Sequence, residues 1–383
     1  MSRALFDLGA RLRAAHTGRP VPVALYAPVL PPTNALAVSV DHDGEHVYLT
    51  ATDGTTTLAG TDRDGLAALA TLGATLGTTH RTLVVATRRD VVTLAALARA
   101  YPDEPAAPVV GWWDQRVDHP GTGAVHPVVA AARLRWVLGV HPDQERELDT
   151  WRTWLNVTTS GPHALLDVAR LTASGSTLPG LLDANGADSA AWERYTQRLT
   201  AGRPWWARDT RADAALGLAS RSHAVEWFES LRLDDPLVAC AAAHDGTAVA
   251  GRVVDVDTAS VVVEADRPLS RLRVDAKVTA WAGEPTDAGG PECIGGRVLA
   301  ATVGTDARLT VTVGSLVRRP KGLVVGDRVT LRPGRVDPFM QATGRGLMAA
   351  GYYRGANWIA GRGQPLVRRG DVPLDVIVAA AGD

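Results

Sequence analysis

The stretch Gly-Arg-Val-Val at residues 251–254 returns as Gly-Arg-Val-Leu at residues 296–299. Each copy opens a similar series of three strand-like runs, and each series is about 45 residues long, the length of one supersecondary unit used twice. The later runs are 260–265 and 274–279 in the first copy, and 308–313 and 325–330 in the second. Neither copy can bury its inner face alone, so we expect six strands to close on each other.

The turn before the last run supports the same conclusion. Its sequence Gly326-Asp327-Arg328-Val329 resembles the "GD box" of cradle-loop barrels, a group that includes the translation-factor-type barrels. The resemblance covers residues 247–333 and implies a barrel, without implying an activity. We therefore predict a six-stranded β-barrel with a two-fold internal repeat over residues 238–337.

The composition is that of a folded protein with several domains. The chain has 383 residues, 46% of them hydrophobic and 21% charged. Its two cysteines, Cys240 and Cys293, stand far apart, which excludes a disulfide scaffold and a cysteine zinc site and fits a reducing compartment. No apolar run is long enough to span a membrane, so we expect a cytoplasmic protein without a membrane partner.

Residues 1–113 have the pattern of an α/β domain with the element order βββαβαβ. The first three strands form a meander, and crossovers join the later ones. The expected strands are 35–40, 46–51, 55–59, 82–86 and 108–112, and the expected helices are 62–76 and 91–101.

Residues 114–237 are predicted to be helical and are rich in tryptophan. The expected helices are 125–138, 143–155, 189–200 and 212–231. The tryptophans of this part are Trp136, Trp151, Trp154, Trp192, Trp205, Trp206 and Trp227. Large core anchors between helices are the favoured interpretation, and an aromatic ligand cage is the alternative.

The order βββαβαβ resembles the ribonuclease H-like fold and, within it, the DEDD-type exonucleases. Those enzymes carry two carboxylates one residue apart on the first strand, and Asp41 and Asp43 have that spacing. The resemblance implies Asp90 and Asp149 as further catalytic carboxylates, and Mg²⁺ or Mn²⁺ as the bound ions of a nuclease. The family expects Glu where Asp43 stands, and an Asx-stabilised hairpin turn at residues 41–44 is the alternative interpretation.

Positive charge is concentrated towards the carboxyl end. Residues 315–370 contain eleven basic and two acidic residues, a net charge of +9, although the whole chain carries −1. Arginine forks bind phosphates, and tyrosine and tryptophan faces stack on unpaired bases. The candidate nucleic-acid-binding residues are Arg318, Arg319, Lys321, Arg328, Arg345, Tyr352, Tyr353, Arg354, Trp358, Arg362, Arg368 and Arg369. Alternatively, this surface could dock on the acidic remainder of the same chain.

The sequence thus predicts a multidomain α+β protein with an N-terminal α/β domain, a Trp-rich helical middle, a C-terminal barrel and a basic segment at 338–383. The favoured function is association with nucleic acid, DNA or RNA, through the basic C-terminal face. The alternatives are a metal-dependent exonuclease-like hydrolase using Asp41, Asp43 and Asp90, and a non-enzymatic scaffold for a protein partner. The sequence favours binding over catalysis and requires no cofactor unless the protein is a nuclease.

Overall fold

The computed structural model describes residues 3–77, 79–207, 211–318 and 322–335. Within these residues the chain is a mixed α+β structure with ten α-helices and thirteen strands. This agrees with the predicted class. The described chain begins with α1 (Arg3–Thr17) and the short β1 (Val21–Pro22), while the predicted basic segment at 338–383 lies outside the described residues.

The N-terminal sheet has five strands. They are β2 (Ala35–His42), β3 (Val47–Thr52), β4 (Thr57–Thr61), β5 (Thr82–Val85) and β6 (Val125–Pro127). Their order is β4-β3-β2-β5-β6, in which the first three strands form the predicted antiparallel meander and β5 and β6 continue in parallel with β2. Parallel neighbours need crossovers, which here contain helices. These helices are α2 (Arg63–Thr71), α3 (Arg88–Ala100) and α4 (Ala107–Arg116).

The prediction of a strand at 108–112 was wrong, because these residues lie in α4. Pro108 stands in the first turn of that helix, where a missing N–H costs nothing. Trp112 and Trp113 are both fully buried, so the helix is apolar on more than one side and shows no clear period. The fifth strand is β6, at the start of a segment that was predicted to be helical.

The middle of the chain is mostly helical, as predicted. The segment predicted as one helix at 125–138 contains β6, α5 and β7, and β7 pairs with β1 beside α1. The elements that follow β6 are α5 (Val128–Arg135), β7 (Trp136–Val137), α6 (Leu148–Trp154), α7 (Gly161–Thr172), α8 (Leu181–Thr200), α9 (Arg211–Arg232) and α10 (Pro236–Asp245). α7 and α10 were not predicted.

Several tryptophans serve as core anchors. Trp112 and Trp192 meet edge to face, with ring centroids 5.3 Å apart, and Tyr195 stacks on Trp192 at 6.0 Å. This cluster fixes α8 against α4 over the N-terminal sheet. Trp151 is fully buried in a second core, and Trp227 in a third. Aromatic burial of this kind favours packing over a ligand cage.

The C-terminal strands close into a six-stranded barrel, which confirms that prediction. The strands are β8 (Val249–Val256), β9 (Ser260–Ala265), β10 (Lys277–Ala282), β11 (Glu292–Val303), β12 (Leu309–Arg318) and β13 (Arg328–Pro333). Their order around the barrel is β10-β11-β12-β9-β8-β13, and all the neighbours are antiparallel. Alternate side chains fill the interior with valine, leucine and isoleucine.

The strand pairing makes the two sequence copies equivalent. β8–β9 and β11–β12 are hairpins, β8–β13 corresponds to β11–β10, and β9–β12 and β10–β13 are pairs between equivalent strands. Exchanging the copies therefore preserves every neighbour. Arg252 lies opposite Arg328 in the register, and Arg297 lies opposite Lys277 in the same way.

The glycine of each Gly-Arg-Val stretch lies where the neighbouring strand passes close by. A Cβ on Gly251 would overlap the carbonyl oxygen of Glu264, and a Cβ on Gly296 would overlap that of Gly314. The repeated glycines are therefore explained by the same close approach in both copies.

Along the described parts of the chain, every helix is too short or too polar to span a bilayer.

Candidate nucleic-acid interface

Asp43 lies in the turn between β2 and β3, and its carboxylate is used within that turn. Oδ1 accepts hydrogen bonds from the N–H groups of Glu45 at 3.0 Å and His46 at 2.8 Å. Oδ2 accepts a bond from the hydroxyl of Tyr48 at 2.8 Å. These bonds, that from His46 above all, lower the pKa of Asp43 to about 2. The geometry is the Asx-stabilised turn that the sequence allowed as the alternative to a metal ligand.

Asp90 has a structural task at the start of α3. Its Oδ2 accepts a hydrogen bond from the N–H of Thr87 at 2.7 Å, in a capping box. Burial raises the pKa of Asp90, and the negative charge of Asp41 adds to that rise. Asp149 is on α6, where its exposed carboxylate lies 2.7 Å from the guanidinium of Arg152.

The structure does not assemble these carboxylates as a cluster. Among residues 3–77, 79–207, 211–318 and 322–335, no group of three or more His, Cys, Asp or Glu side chains is placed to hold a metal ion. Asp43 is hydrogen-bonded within its turn and Asp90 within its helix cap. The predicted Mg²⁺ or Mn²⁺ site of Asp41, Asp43 and Asp90 therefore stays a prediction without support from this geometry.

Arg328, from the predicted basic face, is held by two carboxylates of the barrel. Its Nη1 and Nη2 lie 2.7 and 2.5 Å from the oxygens of Asp266, and its Nε and Nη2 lie 2.6 and 2.8 Å from those of Glu284. The bonds to Asp266, and then those to Glu284, raise the pKa of Arg328. Its donors are thus directed at the protein's own acidic groups.

Two more arginines of the basic stretch are paired inside the protein. Arg332 is 1% exposed and lies 2.8 Å from Asp234, which is 3% exposed. Arg335 lies 2.6 Å from the other oxygen of Asp234 and 3.5 Å from Glu292. The Arg332 guanidinium also stands 5.8 Å from the ring centroid of Trp281. These contacts join the outer wall of the barrel to the end of α9.

The rest of the predicted basic face cannot be placed in the same way. The backbone of Arg318 ends β12, opposite Gly295 of β11. The remaining candidates lie outside the described residues: Arg319, Lys321, Arg345, Tyr352, Tyr353, Arg354, Trp358, Arg362, Arg368 and Arg369.

A different set of cations is exposed on the barrel. Arg252, Arg273, Lys277 and Arg297 are exposed, and no carboxylate of the described residues lies within 4.0 Å of their charged groups. The Nη1 of Arg297 donates to the backbone carbonyl of Asp275 at 2.6 Å, which orients the guanidinium. Arg273, Lys277 and Arg297 therefore keep donors available for an external anion, whereas Arg252 stands opposite Arg328, which two carboxylates already hold.

Sequence reasoning missed these residues, because the charge count began at residue 315. The signal was present in the Gly-Arg-Val stretches. If Gly251 and Val253 face the barrel interior, Arg252 must face outward, and Arg297 must do so for the same reason.

A cleft of about 870 Å³ lies where α1, α5, α9 and α10 meet the barrel. Its apolar walls include Leu134, Leu233 and Val238. Several charged side chains that line the cleft are paired with each other. The two terminal nitrogens of Arg11 donate hydrogen bonds to Glu145 at 2.6 and 2.9 Å, and Arg232 lies 3.3 Å from Glu229. The cleft is a seam between these helices and the barrel.

Comparisons with protein-family models, with curated proteins and with solved structures found no match for this chain.

Proposed function

We propose that the protein binds nucleic acid through the outer wall of its barrel. The observation that carries this proposal is the barrel cation patch, formed by Arg273, Lys277 and Arg297. Lys277 and Arg297 are direct neighbours across β10 and β11. The patch therefore spans two adjacent strands and the turn before β10, with Asp275 as the acidic residue between Arg273 and Lys277.

The chemistry of the patch suits phosphate oxygens. An arginine fork binds phosphate in a bidentate way, and a lysine ammonium contributes a compact charge. Binding to a phosphodiester backbone releases counterions, so affinity should fall steeply as salt rises. Such contacts position a nucleic acid without reading its sequence.

The position of the last strand supports a role for the C-terminal segment. After β13, the N–H of Gly334 donates to the carbonyl of Lys277 at 2.8 Å. The last described residues therefore lie beside the patch. The sequence that follows them supplies Tyr352, Tyr353 and Trp358 for base stacking, with Arg354 between Tyr353 and Trp358.

A filter-binding titration on the full chain tests this proposal, with single- and double-stranded DNA and RNA over a salt series. We expect a log–log slope of about −0.7 to −0.9 for each phosphate contacted. Replacing Arg273, Lys277 and Arg297 together with Gln should reduce the affinity at low salt at least about tenfold and flatten the slope.

The matched control makes the same change in net charge on another surface. It replaces Arg88, Arg99 and Arg152 with Gln; each of these lies in an ion pair with a neighbouring aspartate. The control should bind nearly as well as the unaltered protein. If the unaltered protein has no affinity for any of the four nucleic acids at low salt, the proposal is wrong.

The N-terminal domain is proposed to share the ribonuclease H-like fold without its metal chemistry. The meander of β2, β3 and β4, followed by the parallel strands β5 and β6, supports that fold. Two of the carboxylates that the resemblance implies have structural partners, Asp43 in a turn and Asp90 in a helix cap. The domain would then act as a scaffold or a partner-recognition module.

Exposed apolar residues on the barrel favour a protein partner as a second candidate function. Val254 and Leu299 hold equivalent places in the two copies and are 43% and 47% exposed, and Val317 is 93% exposed. Light scattering of the purified chain tests for self-association. A clean monomer that binds nucleic acid would contradict an assembly of identical chains.

A further inference from the structure

The two copies of the repeat place two pairs of cations in equivalent positions. Arg252 faces Arg328 across β8 and β13, and Arg297 faces Lys277 across β11 and β10. Like charges directly opposite each other destabilise an antiparallel pair. A negative charge close to either pair, from the protein or from a ligand, would offset that repulsion.

The first pair is compensated by the protein itself. Asp266 and Glu284 together hold Arg328 with contacts of 2.5 to 2.8 Å. Glu264 lies opposite Arg252 in the register of β8 and β9, but its carboxylate is 2.6 Å from Arg308. Two carboxylates, Asp266 and Glu284, thus neutralise the Arg328 member of the first pair.

The second cation pair, Lys277 and Arg297, has no carboxylate at the places equivalent to Glu264, Asp266 and Glu284. Gly314 lies opposite Arg297, where the first copy has Glu264 opposite Arg252. The N–H of Asp266 donates to the carbonyl of Ala250 at 2.9 Å, and the equivalent of Ala250 is Gly295, which is paired with Arg318. The positions of Glu264 and Asp266 are therefore held by glycine and arginine.

The third position follows from the ends of the last strands. The N–H of Gly283 donates to the carbonyl of Arg328 at 2.8 Å, and that of Gly334 donates to the carbonyl of Lys277 at the same 2.8 Å. The next residue is Glu284 in the first copy and Arg335 in the second. An acid is again replaced by a base, and that base is directed at Asp234.

We propose that a phosphate-binding subsite lies between Lys277 and Arg297, whereas the equivalent place between Arg252 and Arg328 is closed by Asp266 and Glu284. This inference rests on the proposed nucleic-acid binding and names where a backbone phosphate would lie. The carbonyl of Asp275 orients Arg297 at 2.6 Å, while the exposed remainder of the fork and the Lys277 ammonium face the ligand.

The equivalence of the two copies supplies the matched control. Arg297→Gln and Lys277→Gln should each weaken oligonucleotide binding about five- to tenfold at low salt and lower the salt slope by about one contact. Arg252→Gln removes the same charge at the equivalent place and should change the affinity less than about twofold. All three positions are exposed, and thermal melts verify that the variants fold.

A gain of binding tests the other half of the idea. The double variant Asp266→Asn with Glu284→Gln releases Arg328 beside Arg252. It should bind the oligonucleotide more tightly than the unaltered protein, and adding Arg328→Gln should cancel that gain.

The binding data on these variants can reject the subsite without rejecting the proposed nucleic-acid binding. Equal losses in the Arg252→Gln and Arg297→Gln variants would overturn the subsite and leave the proposed function standing, while absence of any oligonucleotide binding would overturn both. Calorimetry with tripolyphosphate distinguishes a free polyphosphate from a backbone. Tight binding that Arg297→Gln abolishes, with oligonucleotide binding unchanged, would reassign the site to the free anion.

Discussion

At the scale of single residues, two buried histidines should make the fold sensitive to acid. Burial lowers the pKa of His126 to about 4 and that of His119 to about 3, from the ordinary 6.5. His126 is 3% exposed, and its Nε2 has no hydrogen-bond partner among the described residues. Burial disfavours the charged imidazolium in the folded state, so protonation of His126 favours unfolding.

The first prediction follows from the sign of that shift. The stabilisation from neutral His126 is complete above pH 6.5, the unfolded value, and is lost as the pH falls towards about 4. Urea unfolding at pH 5 should therefore show a loss of about 2 kcal/mol from this residue relative to pH 7. His126→Leu should reduce the pH dependence, whereas the same change at exposed His141 should not. Equal pH dependence in all three proteins would contradict this account.

The second prediction concerns Asp43 and divalent ions. Its oxygens are directed at Glu45, His46 and Tyr48, so Mg²⁺ or Mn²⁺ should gain no ligand there. Any shift of the melting temperature on adding Mn²⁺ should be the same in Asp43→Asn as in the unaltered chain. A metal-dependent stabilisation that disappears in the variant would restore the metal site that the sequence indicated.

At the scale of elements, the barrel could be predicted from sequence and parts of the helical layer could not. Six alternating runs in two similar series left one economical arrangement, because strands with one apolar face must close together. α10 was missed since its run Leu-Val-Ala-Cys-Ala-Ala-Ala has no polar face. Its local start signal was readable: Asp235 caps the helix and Pro236 stands in the first turn.

The third prediction belongs to the barrel strands. Gly251→Ala should destabilise the protein by about 1–3 kcal/mol, because the new Cβ would overlap the carbonyl of Glu264 and separate β8 from β9. Gly296→Ala should behave alike. Gly9→Ala in α1 is the control: nothing lies within 4 Å of the new Cβ, so helix propensity should stabilise the protein by about 0.5–1 kcal/mol. Chemical denaturation measures all three, and a harmless Gly251→Ala would contradict the close packing.

At the scale of the whole molecule, two adjacent aspartates after α9 join distant parts of the chain. Asp234 binds Arg332 of the barrel at 2.8 Å, while Asp235 accepts the N–H of Tyr26 at 2.7 Å and caps α10. Sequence counting placed Arg332 on an open basic face, because charge pairs formed across about a hundred residues leave no local signal. Of the predicted candidates, Arg328 is held by carboxylates of the barrel, whereas Arg273, Lys277 and Arg297, which the sequence analysis did not name, are exposed.

The fourth prediction tests this junction. Asp234→Asn removes the closer charge partner of the buried Arg332 and leaves only Glu292, at 3.3 Å, among the described residues, so it should destabilise the protein by up to about 3–5 kcal/mol. Replacing both partners, as Asp234→Leu with Arg332→Met, should cost less, because no buried charge remains unpaired. Arg335→Gln should cost little, since that side chain is 48% exposed. Denaturation curves rank the stability of the three variants. A double variant less stable than Asp234→Asn would contradict the idea that the unpaired charge of Arg332 causes the loss.

The same variants connect the junction to binding. Arg332 lies on β13, and the end of that strand places Gly334 against the carbonyl of Lys277. If the junction positions the barrel cation patch relative to the C-terminal segment, Asp234→Asn should weaken oligonucleotide binding at temperatures where the barrel remains folded. The double variant Asp234→Leu with Arg332→Met has no unpaired buried charge. It should bind as weakly as Asp234→Asn only if the charge of Arg332 itself contacts the ligand. Recovery of binding in the double variant is the expected result, because Arg332 is buried and its role is to hold the strand in place.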